Sequence, residues 1–177
     1  MLTRARFEER ITRHQQRLYG YAVAIARDHD RARDLLQDCL VRAASARDRP
    51  VAEPAFRAWL FTIMRNLWID QIRADQRRSQ ANETLCDMML GMPVSLESVT
   101  VETFALRQAF ERLSHDHREV LALVDISGFS YQEAADLLNV PRGTVMSRIS
   151  RAREALGKLL ADEAPRVVPF SGNARKA

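Results

Sequence analysis

Between Ser130 and Leu156 the chain reads SYQEAADLLNVPRGTVMSRISRAREAL, and few folds accept that run. Ser130 with Glu133 three residues on forms a capping box, which starts a helix at that point. Ala134, Ala135, Leu137 and Leu138 give this helix a small apolar stripe, against which a second helix can cross closely. Asn139 follows the last apolar pair and tolerates the left-handed backbone needed just past a helix end. Pro141 cannot continue a helix but suits the entry of the next one. Val145, Ile149, Ala152 and Leu156 then recur at spacings of four, three and four, which is one buried stripe. The opposite face carries Arg142, Thr144, Ser147, Arg148 and Arg151. The pattern is a helix-turn-helix whose second helix turns hydroxyls and guanidinium groups outward. Such groups suit phosphate and base-edge contacts in a major groove, so DNA is the first candidate partner. A helical hairpin with a solvated arginine face is the plainer alternative. Cap, turn residue, stripe and charge coincide against it.

The rest of the chain also reads as helix: glycines are few and no segment keeps a period of two. A first helix is expected over about 4–27, with Phe7, Ile11, Leu18, Tyr21, Ala22 and Ile25 as core. A second is expected over about 30–47. Its apolar face holds Leu35, Leu36, Cys39, Leu40 and Ala43, and its polar face Arg31, Asp34, Gln37, Asp38 and Arg42. After Pro50 and Pro54 a third is expected over about 55–78. Phe56, Trp59, Leu60, Ile63, Met64, Leu67 and Ile72 form its stripe, while Arg57, Arg65, Asn66, Asp70, Arg73, Arg77 and Arg78 are read as mostly outward. Trp59 falls on the stripe and reads as core; Trp68 fits either core or surface. Residues 79–104 break the periodicity and read as a linker, and helices resume near Glu102, with Gly128 as a stop before the helix-turn-helix. The fold class expected is all-α: two small helical domains, 1–78 and 105–161, joined by a flexible linker at 79–104, with a disordered tail at 162–177. Domains of this size bury only modest cores.

Charge separates these pieces. Residues 1–78 carry sixteen arginines against ten acids, whereas 79–104 carry four acids and no lysine or arginine. Only Lys158 and Lys176 are lysines. Arginine is the better bidentate partner for phosphate and guanine, although a GC-rich genome gives the same skew. Two isolated cysteines, Cys39 and Cys86, build neither a disulfide framework nor a metal site. His115 and His117 lack further ligands at metal spacing, so no metal and no cofactor are expected. No nucleophile-base pair, phosphate loop or carboxylate dyad points to an enzyme. No apolar run is long enough to span a membrane and no signal-peptide pattern opens the chain, so no membrane insertion and a cytoplasmic location are expected.

Three stretches resemble the extracytoplasmic function (ECF) group of bacterial sigma factors: DLLQDCLVRA at 34–43, FRAWLFTIMRNLWIDQIR at 56–73, and the run from Leu113 to Leu156. Their order, with a linker and no intervening domain, covers roughly 7–160 of the chain. The resemblance implies a subunit that binds core RNA polymerase through β′ and β and directs promoter-specific initiation. It implies polymerase docking at Asp34, Gln37, Asp38 and Arg42. It implies melting and reading of the −10 element by Arg65, Asn66, Arg73, Arg77, Arg78 and the loop just after Arg73. It implies reading of the −35 element by Arg142, Thr144, Ser147, Arg148 and Arg151. An anti-sigma factor is implied as a further partner, and the acidic linker is implied to thread through polymerase toward the active-site cleft. A general-stress sigma factor of an α-proteobacterium is one subtype the resemblance suggests. The chain departs from the family pattern at Cys39 and Leu40, where a small polar residue and an aromatic are common, and at Ala43 and Ala44, where an aromatic is common. Two alternatives remain open at the level of sequence. An autonomous helix-turn-helix regulator leaves the two upstream stretches without a purpose. A sigma mimic that titrates an anti-sigma factor is expected to lose the DNA-facing residues, and Arg65, Asn66, Arg148 and Arg151 are present.

Overall fold

A computed structural model describes residues 4–81 and 101–163 of the chain. The linker's interior, Cys86 and the tail beyond residue 163 lie outside the described residues. Seven α-helices are described: α1 (Arg4–Ala26), α2 (His29–Ser45), α3 (Glu53–Ala81), α4 (Val101–Arg112), α5 (His115–Leu121), α6 (Tyr131–Leu138) and α7 (Arg142–Glu163). The chain is all-α among the described residues, as its periodicity predicts. Helices α3 and α4 run past both ends of the expected linker.

Each boundary has a local cause. Arg27 takes a left-handed backbone, φ 59°, which ends α1. Asp28 then caps α2, its carboxylate accepting from the Arg31 amide at 2.7 Å. Pro54 sits in the first turn of α3, where a missing N–H costs nothing. Helix α5 continues into one π-helical turn, Ala122–Ile126, in which the Ser127 amide donates to the Ala122 carbonyl five residues back at 2.9 Å. Gly128, φ 72°, closes that turn. The capping box forms in full: the Glu133 amide donates to Ser130 Oγ at 3.2 Å, and the Ser130 amide to Glu133 Oε2 at 2.8 Å. Asn139 adopts the left-handed conformation expected of it, φ 55° and ψ 49°.

Helices α1, α2 and α3 pack around Leu18, Tyr21, Ile25, Leu35, Cys39, Phe56, Leu60 and Met64, all buried. A polar staple joins the first helix to the third. Arg10 Nε donates to Glu53 Oε2 at 2.7 Å, His14 Nε2 meets Glu53 Oε1 at 2.9 Å, and the Arg10 guanidinium lies 3.7 Å from the Phe56 ring centre. In the C-terminal half, Val145, Ile149 and Ala152 of α7 bury against Ala134, Ala135 and Leu138 of α6, while Leu156 is only half-buried.

The two halves do not keep separate cores. One contiguous apolar cluster runs from Phe7 through Phe61 and Phe129 to Ala152. The outward reading of Arg57 and Arg65 is therefore corrected: their side chains are only 17% and 23% exposed and point into the other half of the molecule. Phe61, off the main stripe, is buried with them and meets Phe129 edge-on at 4.9 Å. Of the two tryptophans, Trp59, read as core, is half-buried beside Phe56, while Trp68, which fitted either core or surface, is buried.

Candidate nucleic-acid interface

On α7 the side chains proposed to meet a duplex project from the buried stripe as a helix demands. Arg142, Ser147 and Arg151 are exposed and Thr144 is half-buried. The Ser147 hydroxyl donates to the Thr144 carbonyl at 3.0 Å, which back-bonds it to its own helix. Arg148 is engaged: its Nη2 lies 2.9 Å from Asp116 Oδ2 at the start of α5. The face thus combines exposed guanidinium groups with one that is held in place by a carboxylate.

On α3, Asn66, Arg73, Arg77 and Arg78 are exposed. Arg78 lies 3.3 Å from Asp75, and Arg73 is 3.9 Å from Asp70, a loose pair. The backbone stays helical to Ala81, so the expected loop just after Arg73 is absent; residues 74–81 continue the same helix. Arg65 is the exception among the five. Its Nε donates to Glu119 Oε1 at 2.9 Å, and that carboxylate is almost fully enclosed, with 5% of the side chain exposed. The hydroxyl of the fully buried Tyr21 donates to the same oxygen at 3.2 Å. Burial pushes the Tyr21 phenol well above its ordinary range, and the neighbouring Glu119 carboxylate adds to the rise, so the hydroxyl stays protonated as a donor.

A second contact flanks this one. Arg57 Nη2 donates to Glu133 Oε1 at 2.7 Å, and its guanidinium lies 4.2 Å from the Phe129 ring centre. Glu133 is held below the usual carboxylate range, chiefly by the Ser130 backbone amide, against the opposing effect of burial, with Arg57 adding to the fall. A third contact is Arg118, buried in α5, whose Nε donates to the Ala24 carbonyl of α1 at 3.0 Å and whose Nη1 donates to the Leu113 carbonyl. Sequence reasoning singled out none of Tyr21, Arg57, Phe61, Glu119, Phe129 and Glu133 as a joint. One signal was present: Arg57, Phe61 and Arg65 recur every four residues, a second stripe beside the main one.

The face of α2 proposed for docking is built as the pattern predicts. Asp34, Gln37, Asp38 and Arg42 are exposed, opposite the buried Leu35, Leu36, Cys39 and Ala43. Val41 adds an exposed apolar side chain beside them. Cys39 is enclosed; its Sγ lies 3.5 Å from the Leu60 carbonyl, and burial pushes the thiol up to about 12. Among the described residues there is no group of three or more His, Cys, Asp or Glu placed to hold a metal ion. Nor is any helix among them long and apolar enough to cross a membrane.

Comparison with known proteins agrees with this arrangement. Residues 10–78 match the family described as Sigma-70 region 2, and residues 103–156 match Sigma-70, region 4. The chain is 37% identical over 144 residues to the ECF RNA polymerase sigma factor EcfG of Rhodopseudomonas palustris (strain TIE-1), covering 81% of this chain and 78% of that one. It is 33% identical over 157 residues to the ECF RNA polymerase sigma factor SigM of Mycobacterium tuberculosis (strain ATCC 25618 / H37Rv), covering 87% and 76%. Among solved structures it is similar to the sigma factor RpoE in complex with the anti-sigma factor NepR from Bartonella quintana. That likeness has a TM-score of 0.71 at 30% identity and covers 89% of this chain and 98% of that one. With both regions matched in order on these helices, and with relatives of this identity spanning most of its length, the chain belongs to the ECF group of RNA polymerase sigma factors.

Proposed function

We propose that the two halves of this sigma factor divide its work as their exposed faces suggest. Residues 1–78 dock on core RNA polymerase through Asp34, Gln37, Asp38 and Arg42, and handle the −10 element through Arg65, Asn66, Arg73, Arg77 and Arg78. Residues 105–161 read the −35 element through Arg142, Thr144, Ser147, Arg148 and Arg151. The segment between them connects the two. The observation that carries the reading is the fully capped helix-turn-helix with an exposed, arginine-bearing second helix, joined in one chain to an arginine-rich helix and a separate polar face on α2. Phosphate contacts from arginine position such a protein on DNA, while side chains at the start of the second helix reach base edges. The protein acts by binding and has no catalytic role of its own; it works in the cytoplasm, where core polymerase and the chromosome are. The solved relative bound to an anti-sigma factor supports control of this chain by a partner of the same kind.

Run-off transcription tests the proposal. The protein is mixed with bacterial core polymerase and fragmented genomic DNA from the source organism, and transcript starts are mapped. Discrete new starts sharing two upstream motifs are expected. Stable binding to core without starts would instead indicate a sigma mimic. DNA binding by a dimer with no affinity for core would indicate an autonomous regulator.

A further inference from the structure

Among the described residues, Val41, Val51, Leu106, Ile126 and Met146 are large apolar side chains left exposed. Leu106 and Ile126 line one apolar groove together with Phe110 and Leu156. Met146 lies outside that groove. It is 48% exposed on α7, and its neighbours one turn away on the same face are Arg142 and Ser150, both exposed and polar. The buried stripe of the helix, Val145, Ile149 and Ala152, is complete without it. Met146 therefore belongs neither to the core nor to an apolar patch. It sits in the second turn of the helix whose N-terminal residues contact base edges in a helix-turn-helix. Side chains on a helix lean toward its N-terminus, which aims this one at Arg142 and Gly143. Gly143 keeps that corner low: a Cβ built on it meets nothing within 4 Å, so no contact inside the chain calls for glycine there. Bare backbone beside an apolar tip lets the helix approach a ligand closely.

We propose that Met146 is a specificity-determining residue that reads the 5-methyl group of one thymine in the major groove of the −35 element. The inference rests on the −35 reading proposed above for α7. The chemistry selects the base. A thioether has no hydrogen to donate and is a weak acceptor, so it does not recognise guanine, adenine or cytosine by their polar edges. The thymine methyl is the one apolar group that those edges present. Methionine is unbranched and polarisable, so it can adapt its shape to a methyl group. Arg142 and Arg151 supply charge for phosphates or guanine and gain nothing from that methyl. Covering one methyl with the Met146 side chain lowers Kd about fourfold.

The test measures binding of short duplexes carrying the mapped −35 element to the full-length protein assembled with bacterial core polymerase. Each thymine of the element, on either strand, is replaced in turn by deoxyuridine, which keeps every hydrogen bond and removes only the methyl. One replacement is expected to weaken binding about fourfold. In Met146→Ala, and in Met146→Gln, which keeps the length but is polar, the same replacement is expected to have no effect. Met146→Leu is expected to retain the effect. The side chain is exposed, so all three variants should fold like the parent. An element with no A·T pair overturns the assignment. So does a parent protein indifferent to every methyl, or a methyl effect that persists in Met146→Ala. Arg151→Ala separates these failures from failure of the −35 reading itself. If it weakens binding while methyl removal does nothing, α7 reads the element and only the Met146 assignment falls. If Arg142→Ala and Arg151→Ala both bind like the parent, the −35 reading fails, and the Met146 assignment with it.

Discussion

With Arg148 proposed to read the −35 element, its ion pair with Asp116 is a competing contact, and Asp116→Asn is expected to tighten binding to that element. The two side chains are 2.9 Å apart and partly open to solvent, with 30% and 54% of their surfaces exposed. A pair of this kind contributes about 0.2–1 kcal/mol. Arg148 must give up that interaction before it can engage a phosphate or a base edge. Removing the charge returns the cost to DNA binding and takes away one negative charge that would face the phosphates. The gain should lie near 0.4–1 kcal/mol, roughly a twofold to fivefold lower Kd. Fluorescence anisotropy with a labelled duplex carrying the mapped −35 sequence, read at several salt concentrations, measures it. Arg148→Ala alone should weaken binding and flatten the salt dependence by about one unit of slope. In the Arg148→Ala background, Asp116→Asn should lose most of its effect. Weaker binding by Asp116→Asn in the otherwise unaltered protein would refute the reasoning, because Asp116 would then be orienting Arg148 for DNA.

Arg118→Met removes a buried guanidinium and strands the Ala24 and Leu113 carbonyls; the relief of burying a charge offsets part of the loss, so urea unfolding should show about 2 kcal/mol of destabilisation. Glu53 and Glu133 both have lowered carboxyl pKa values. Burial alone would push Glu53 up, but the hydrogen bonds from His14 and Arg10 outweigh it. The unfolded chain then binds protons first as pH falls, so stability present above the ordinary carboxylate range should drop through the depressed folded values; Glu133→Gln should flatten that loss in urea titrations run from pH 6 to pH 3. At Asn139, with φ 55°, Ala should cost about 1 kcal/mol in thermal unfolding while Gly should be nearly neutral. In a Cys86→Ser background, Cys39 should resist a thiol reagent at pH 8 and react once the protein is unfolded in urea.

The helix-turn-helix was legible because its signals are local. Ser130, Glu133, Asn139 and Pro141 act within a few residues, and each adopts or permits the backbone its chemistry predicts. The exposed polar face of α2 was legible for the same reason, since three turns of one helix suffice to define it. The joint between the halves was not legible. Arg65 and Glu119 are 54 residues apart in sequence, Arg57 and Glu133 are 76 apart, and Tyr21 and Glu119 are 98 apart. Periodicity marks which face of a helix is apolar, but a charged side chain such as Arg65 reads as solvated until its partner is known. Trp68 shows the same limit. It continues the row Phe56, Leu60, Met64 at the edge of the stripe, where tertiary packing decides whether a ring is covered.

The π-helical turn at Ala122–Ile126 sets the angular phase between α5 and the helix-turn-helix. Its five-residue hydrogen-bonded step adds one residue to a turn, so the chain leaves α5 about 100° out of step with an unbroken α-helix. That offset brings Ile126 against Gly20 and delivers Phe129 to Phe61. Deleting a single residue from the turn would restore a regular helix and turn Phe129 and the helix-turn-helix away from α3. Glu119, which lies before the turn, would stay where it is. One inserted residue therefore couples the aim of the DNA-reading helix to the closure of the molecule, and the length of that turn cannot drift without uncoupling them.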